Sequence, residues 1–184
     1  MRNVYIDLGA NVGNTVCAFL QENPGFLAFA FEPNLKLIPA IHQKGLKIGR
    51  DICVIWGAAW ISDGTISLFQ SEHASASTVV PGKVEYVDRG WSPINYDRPH
   101  DTPSIDFSRW LLANFSREDH IIVKMDIEGA EYKVLEKMLS NGALSLVNQL
   151  RCEWHYDRFP EITKAYHDKI YAKVSATVDL VDWT

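Results

Sequence analysis

One run near the N-terminus, Tyr5-Ile6-Asp7-Leu8-Gly9-Ala10-Asn11-Val12-Gly13-Asn14-Thr15, narrows the choice of fold more than any other stretch. Val4, Ile6 and Leu8 are apolar and read as a short buried strand. Small residues follow, and Val16 to Leu20 read as a helix. Glycine lets a backbone take positive φ or approach a ligand closely. A helix N-terminus presents unpaired N–H groups and the positive end of a dipole. Strand, glycine turn and helix in this order make the unit that holds a polar or anionic part of a cofactor in open α/β sheets.

The rest of the chain repeats that alternation. Asn23-Pro24-Gly25 breaks the first helix, and the apolar run Phe26 to Phe31 suits a strand buried on both faces. It ends at Glu32-Pro33-Asn34, where Asn34 can cap a helix over about 35–44 that Pro39 kinks or shortens. Ile52 to Ile55 read as a third strand, and Thr65 to Phe69 as part of a hairpin extension. Residues 71–104 hold Ser71, Ser75, Ser77, Pro81, Gly82, Gly90, Pro93, Pro99 and Pro103, with Tyr86, Trp91 and Tyr96 among them. They read as a long variable loop, either on the substrate side or a poorly ordered insertion. Ser104 can cap a helix from Ile105 to about Asn114. His120 to Met125 is an apolar strand leading into Asp126-Ile127-Glu128-Gly129-Ala130-Glu131. The helix after it has a core face of Ala130, Val134, Leu135, Met138 and Leu139. Leu146 to Trp154 reads as a strand, Thr163 to Val174 as a polar helix and Thr177 to Trp183 as a last strand. Alternating strands and helices call for a mostly parallel sheet covered on both faces, in one domain spanning 1–184.

Ligands in such sheets bind at the C-terminal edge of the strands. Asp7, Glu32, Asp126 and Glu153-Trp154-His155 all fall there. An acid at Asp7 suits a ligand with an amino group better than a pyrophosphate, as in a nucleoside cofactor carrying an amino acid such as S-adenosylmethionine. Glu32 is placed to bind ribose hydroxyls, the alternative being a solvated acid. Ala58 and Ala59 either let an adenine lie against the backbone or serve close packing. A net charge of −5 without a dense Lys/Arg block removes the footprint of a nucleic-acid binder. The three cysteines, Cys17, Cys53 and Cys152, form no zinc or disulfide pattern. No stretch approaches membrane-spanning length. A cytoplasmic location is expected, or the host cytoplasm for a viral protein.

Three blocks together resemble the FkbM family of S-adenosylmethionine-dependent methyltransferases: Tyr5 to Asn14, Phe31-Glu32-Pro33-Asn34, and Lys124 to Glu131, with Glu153-x-His155 as a weaker fourth point. The resemblance implies a Rossmann-like class I methyltransferase fold, a three-layer sandwich with a mostly parallel sheet. It implies O-methylation of a sugar, glycan or natural-product hydroxyl. By matching position, Asp7, Gly9, Asn11 and Gly13 would line the methionine part of the cofactor. Glu32 would take the ribose diol, Ala58 and Ala59 would lie near the adenine, and Asp126 would sit beside the methyl group. The class fold closes with an antiparallel seventh strand, and this sequence reaches only a sixth. That strand is missing, supplied unconventionally, or lost by excision from a longer protein.

A hydroxyl acceptor must lose a proton, by a base or with a metal. Glu153 and His155 lie two apart on a strand and share a face. Asp126, Glu153 and His155 are therefore expected to meet. They form either a His155 base oriented by carboxylates, a Mg²⁺ or Mn²⁺ site, or a structural His–acid pair. Lys124 is expected to pair with an acid. A nicotinamide oxidoreductase and a non-catalytic cofactor-binding scaffold are the other readings. The first is disfavoured by Gly-x-Asn-x-Gly in place of Gly-x-Gly-x-x-Gly.

Overall fold

A computed structural model describes residues 1–71, 76–84 and 93–183. Of the residues singled out in the expected loop, Ser75, Tyr86, Gly90 and Trp91 lie outside the described residues. The elements run β1 (Asn3–Leu8), α1 (Asn14–Glu22), β2 (Leu27–Glu32), α2 (Ile38–Lys47), β3 (Ile52–Trp56), β4 (Ala58–Trp60), β5 (Gly64–Ser71), β6 (Ile94–Asp106), α3 (Phe107–Asn114), β7 (His120–Met125), α4 (Glu131–Asn141), β8 (Gln149–Cys152), α5 (Lys164–Ser175) and β9 (Asp179–Asp182).

Six strands form one sheet in the order β3-β2-β1-β7-β8-β9, and every pairing in it is parallel. The alternation along β1 explains the layers. Tyr5 points to one face, where it packs with Phe19, Leu20 and Ile41 of α1 and α2. Val4, Ile6 and Leu8 point to the other, against Phe107, Leu111, Val134 and Leu135 of α3 and α4. This is the expected three-layer α/β sandwich with a Rossmann-like sheet. From β1 the chain winds outward through β2 and β3 on one side and β7, β8 and β9 on the other. The winding reverses between β1 and β7, and the crevice outside their C-terminal ends is the switch point where such sheets bind ligands. Among the described residues no antiparallel seventh strand joins this sheet.

Several boundaries differ from expectation for local reasons. Residues 94–104, expected as loop, belong to β6, which pairs antiparallel with β5 and parallel with β4 in a second, three-stranded sheet. Prolines at 99 and 103 concealed the strand; in a small sheet a proline is tolerated where no ladder hydrogen bond is needed. The following helix starts at Phe107, capped by the Asp106 carboxylate accepting the Arg109 N–H at 3.0 Å, not by Ser104. Asn34 caps only a turn, its Oδ1 accepting the Lys36 N–H at 3.1 Å. Helix α2 therefore begins at Ile38, and Pro39 falls in its first turn, where it removes no helical bond. The strand expected over 146–154 contracts to Gln149–Cys152, since 143–146 form a single tight turn of helix.

Candidate active site

The β1 turn is stitched to the end of β2 by backbone. The Gly9 and Ala10 N–H groups both donate to the Phe31 carbonyl, at 3.1 and 3.0 Å. Gly9 has φ +80°, and a Cβ there would stand 2.0 Å from the Asp126 carbonyl oxygen. The glycine is required by the closeness of the β7 end. Asn11 also takes a left-handed conformation, φ +51°. Its N–H donates to Glu32 Oε2 at 2.7 Å, and the Asn34 N–H donates to Glu32 Oε1 at 2.7 Å. Glu32 is thus fixed with each oxygen holding one backbone bond and one lone pair in reserve. Burial pushes its carboxyl up to about 7, against the lowering effect of those two bonds.

Asp7 is fully buried behind this turn. Lys124 lies between it and Asp126, with Nζ 3.2 Å from each carboxylate and 3.1 Å from the Gly9 carbonyl. Burial raises the Asp7 carboxyl, and Lys124 opposes that rise. Lys124 does pair with acids, two of them.

One pocket opens over the turn. Gly9, Asn11, Glu32 and Asn34 line one wall, and Asp126, Ile127 and Glu128 the opposite one. Ala58, Ala59, Leu68 and Val79 supply an apolar side. Asp7 and Gly13 are not among the lining residues. Gly13 instead begins α1 at φ 79°, where a Cβ would press on Ile41 at 3.2 Å.

The second half of the site is built around His155, which is fully buried. Its Nδ1 lies 2.9 Å from Glu131 Oε1. Glu131 is itself fully buried and accepts the Ile127 and Gly129 N–H groups at 2.9 and 3.0 Å. His155 Nε2 faces Glu128 and Glu153 at 3.4 Å each and Asp126 at 3.8 Å. So Asp126, Glu153 and His155 do meet, and Glu128 joins them. Burial lowers the imidazole pKa, but Glu131, Glu153 and Glu128 outweigh it and raise it to about 10. A ring in that state holds its proton at neutral pH, whereas the expected base role needs a neutral ring. One ligand atom from each of Asp126, Glu128 and His155 falls within 4.8 Å of the others.

Two cations that the sequence did not point to complete the cluster. Lys83 Nζ lies 2.5 Å from Glu128, and Arg158 lies 3.5 Å from Glu128 and 3.4 Å from Glu153. Lys83 belongs to the segment 76–84, which crosses over the Asp126–Glu131 turn. Thr78 Oγ1 donates to the Glu128 carbonyl at 2.6 Å, and the Val84 N–H to the Arg158 carbonyl at 2.7 Å. Glu131, which the sequence offered only as the end of the Lys124–Glu131 block, is the hub that aims His155.

With this geometry in hand, comparison with known families gives a direct result: the Methyltransferase FkbM domain matches residues 7–176. The chain belongs to the FkbM methyltransferase family. The matched range includes both halves of the pocket and cluster described above, from Asp7 through His155. No curated protein and no solved structure matched the chain. No helix among the described residues is long and apolar enough to cross a membrane.

Proposed function

We propose that this FkbM-family methyltransferase uses S-adenosylmethionine to methylate a hydroxyl of a sugar, glycan or natural product. The observation that carries the reading is the span of one pocket, from Asn11 and Glu32 to Asp126 and Glu128, across the β1/β7 switch point. The donor set suits the cofactor. Glu32 offers two free lone pairs to a ribose diol, and the apolar side at Ala58, Ala59, Leu68 and Val79 suits an adenine. The left-handed turn at Gly9–Asn11 brings the end of β1 against the end of β7, where a Cβ at Gly9 would stand 2.0 Å from the Asp126 carbonyl, and so closes the floor of the pocket. Asp7 acts from behind, holding Lys124 and the shape of the turn, and Gly13 fixes where α1 starts.

When bound, S-adenosylmethionine supplies an electrophilic methyl group on a sulfonium. The chain must hold the acceptor oxygen in line with that carbon and take its proton. The sulfonium would give up the methyl to that oxygen and keep the electron pair of its carbon–sulfur bond. Asp126, about one quarter exposed and lining the pocket, receives the acceptor's proton. His155 and Glu153 hold Asp126 and Glu128 in place and share the charge. The acceptor enters from the side covered by 76–84, within the variable stretch 71–104. The chain is read as one domain over 1–184, acting on a small molecule or glycan, with no role for nucleic acid or membrane, in the cytoplasm of its cell or host.

Calorimetry separates this reading from a nicotinamide enzyme. S-adenosylhomocysteine should bind and NAD should not. Binding of NAD alone would overturn the proposal. Asp126→Asn should lose turnover while retaining S-adenosylhomocysteine affinity; full activity would remove its role.

A further inference from the structure

We infer that Asp126, Glu128 and His155, with Glu153 at the rim, form a binding site for one divalent metal ion, and that Glu131 aims the histidine at it. The first observation is an unsatisfied atom. His155 is fully buried, and its Nε2 makes no hydrogen bond although it is aimed at three carboxylates. A buried polar atom left in that condition carries its full desolvation penalty. Native chains rarely leave one without a ligand to meet it.

The second is the geometry. The ligand atoms of Asp126, Glu128 and His155 lie within 4.8 Å of one another. With ligand bonds of about 2.1 Å, octahedral neighbours stand roughly 3.0 Å apart and opposite ligands roughly 4.2 Å. The observed spacings of 3.4 to 3.8 Å around Nε2 reach that arrangement by a small contraction. The third is the support behind the histidine. The Glu131 carboxylate is pinned by two backbone N–H groups and faces Nδ1 at 2.9 Å. That keeps one ring proton on Nδ1, so a metal ion need displace only the Nε2 proton to take that lone pair, the usual way a carboxylate prepares a metal-binding imidazole.

Charge agrees. Asp7, Asp126, Glu128, Glu131 and Glu153 face Lys83, Lys124, Arg158 and His155 among the described residues; once an ion takes Nε2 in place of its proton, the carboxylates exceed the remaining cations by two charges, which one divalent ion would cancel. Carboxylates with a single imidazole suit Mn²⁺ or Mg²⁺ better than a thiolate-seeking metal. The Asp126 and Glu153 side chains are 26% and 27% exposed, so an ion there would keep open positions towards the pocket. The catalytic use of the ion rests on the methyl-transfer reading above. It would lower the pKa of an acceptor hydroxyl, and Asp126, with Oδ1 on the ion, would take that proton on Oδ2.

The test uses the full chain, stripped with a chelator and titrated with Mn²⁺ under electron paramagnetic resonance. One Mn²⁺ should bind per chain, displaceable by Mg²⁺, and its spin-echo modulation should show one imidazole nitrogen. No binding, or binding without nitrogen coupling, overturns the site. His155→Ala should abolish the coupling. Because that residue is buried, Glu153→Gln at the rim is the safer variant and should weaken Mn²⁺ by about tenfold. Unchanged affinity there removes Glu153 from the set. Glu131→Gln should alter the nitrogen coupling itself; a lower melting temperature with unaltered coupling would remove its aiming role. S-adenosylhomocysteine binding is measured on the same samples. Binding of that ligand by a chain that takes no Mn²⁺ overturns the metal site and spares the methyl-transfer reading. Mn²⁺ binding without S-adenosylhomocysteine binding does the reverse.

Discussion

The two walls of the pocket are held by different means. The wall made by Gly9, Asn11 and Glu32 is fixed by backbone: Gly9 and Ala10 bond to the end of β2, and Glu32 is gripped by the N–H groups of Asn11 and Asn34. The opposite wall is fixed by side chains. Asp126, Glu128, Glu131, Glu153 and His155 hold one another, with Lys83 and Arg158 reaching in from separate segments. A backbone-held wall tolerates no added atom but withstands changes of charge. A wall held by charge can be loosened by removing one partner, and it adapts to an ion or an acceptor.

The largest expected effect tests the first half of that contrast. Gly9→Ala forces a Cβ to 2.0 Å from the Asp126 carbonyl, at φ +80°. Backbone has nowhere to move here, and the loss should be at least about 4 kcal/mol. Gly49→Ala is the control. Its φ is +66°, but nothing lies within 4 Å, so strain alone should cost about 1 kcal/mol. Equal losses in thermal unfolding would mean that the β1–β7 contact is soft.

The second half is tested by Lys83→Met. The Lys83 and Glu128 side chains are nearly buried, 3% and 11% exposed, so the deletion strands an acid. Breaking a buried pair typically costs about 3–5 kcal/mol. Arg158 and His155 still face Glu128, which brings the expected loss to about 2 kcal/mol. Affinity for S-adenosylhomocysteine should hardly change, because Glu32 and Asn11 are untouched. A large loss of affinity with unchanged stability would show that the cover over Glu128 belongs to the cofactor wall after all.

The same contrast explains what could be read from the sequence. The backbone-held wall is local. Gly9, Asn11 and Glu32 occur in two short blocks whose spacing follows from one strand, one turn, one helix and the next strand. Asp126 was legible for the same reason. Lys83 and Arg158 were not, because each meets Glu128 only through the folding of distant segments. Glu131 is visible as part of the Lys124–Glu131 block, but its role is not; its contact with His155 spans 24 residues and depends on β7 and β8 being neighbours. Strand β6 was missed because its prolines and charged residues resemble a loop when its partners β4 and β5 are not in view.

Between these effects in size lies Glu32→Gln. It keeps the shape but replaces one acceptor with a donor beside a backbone N–H, and removes the charge offered to a ribose diol. Hydrogen bonds to a charged group are worth about 1.5–3 kcal/mol, so S-adenosylhomocysteine should bind about 100-fold more weakly. A change below threefold would take the ribose role from Glu32.

The smallest effect is a matter of pH. Burial raises the Glu32 carboxyl to about 7, so without ligand it is half protonated at neutral pH. A raised folded value means that the folded chain binds the proton more tightly than the unfolded one. Glu32 therefore favours folding fully below the unfolded carboxyl value of about 4.3, and that contribution is lost as pH rises through about 7. Ligand binding runs the other way. A diol donates to the ionised carboxylate, so affinity should climb by up to about tenfold per pH unit below 7 and level off above it. Stability thus falls over the interval in which affinity rises. The backbone-held wall keeps its geometry through the change, since the Asn11 and Asn34 N–H groups stay in place. Calorimetry with S-adenosylhomocysteine between pH 5.5 and 8.5, roughly 1.5 units either side of that value, would read the slope directly. Glu32→Gln should flatten it, and a slope that survives in the variant would move the titration to the charge-held wall.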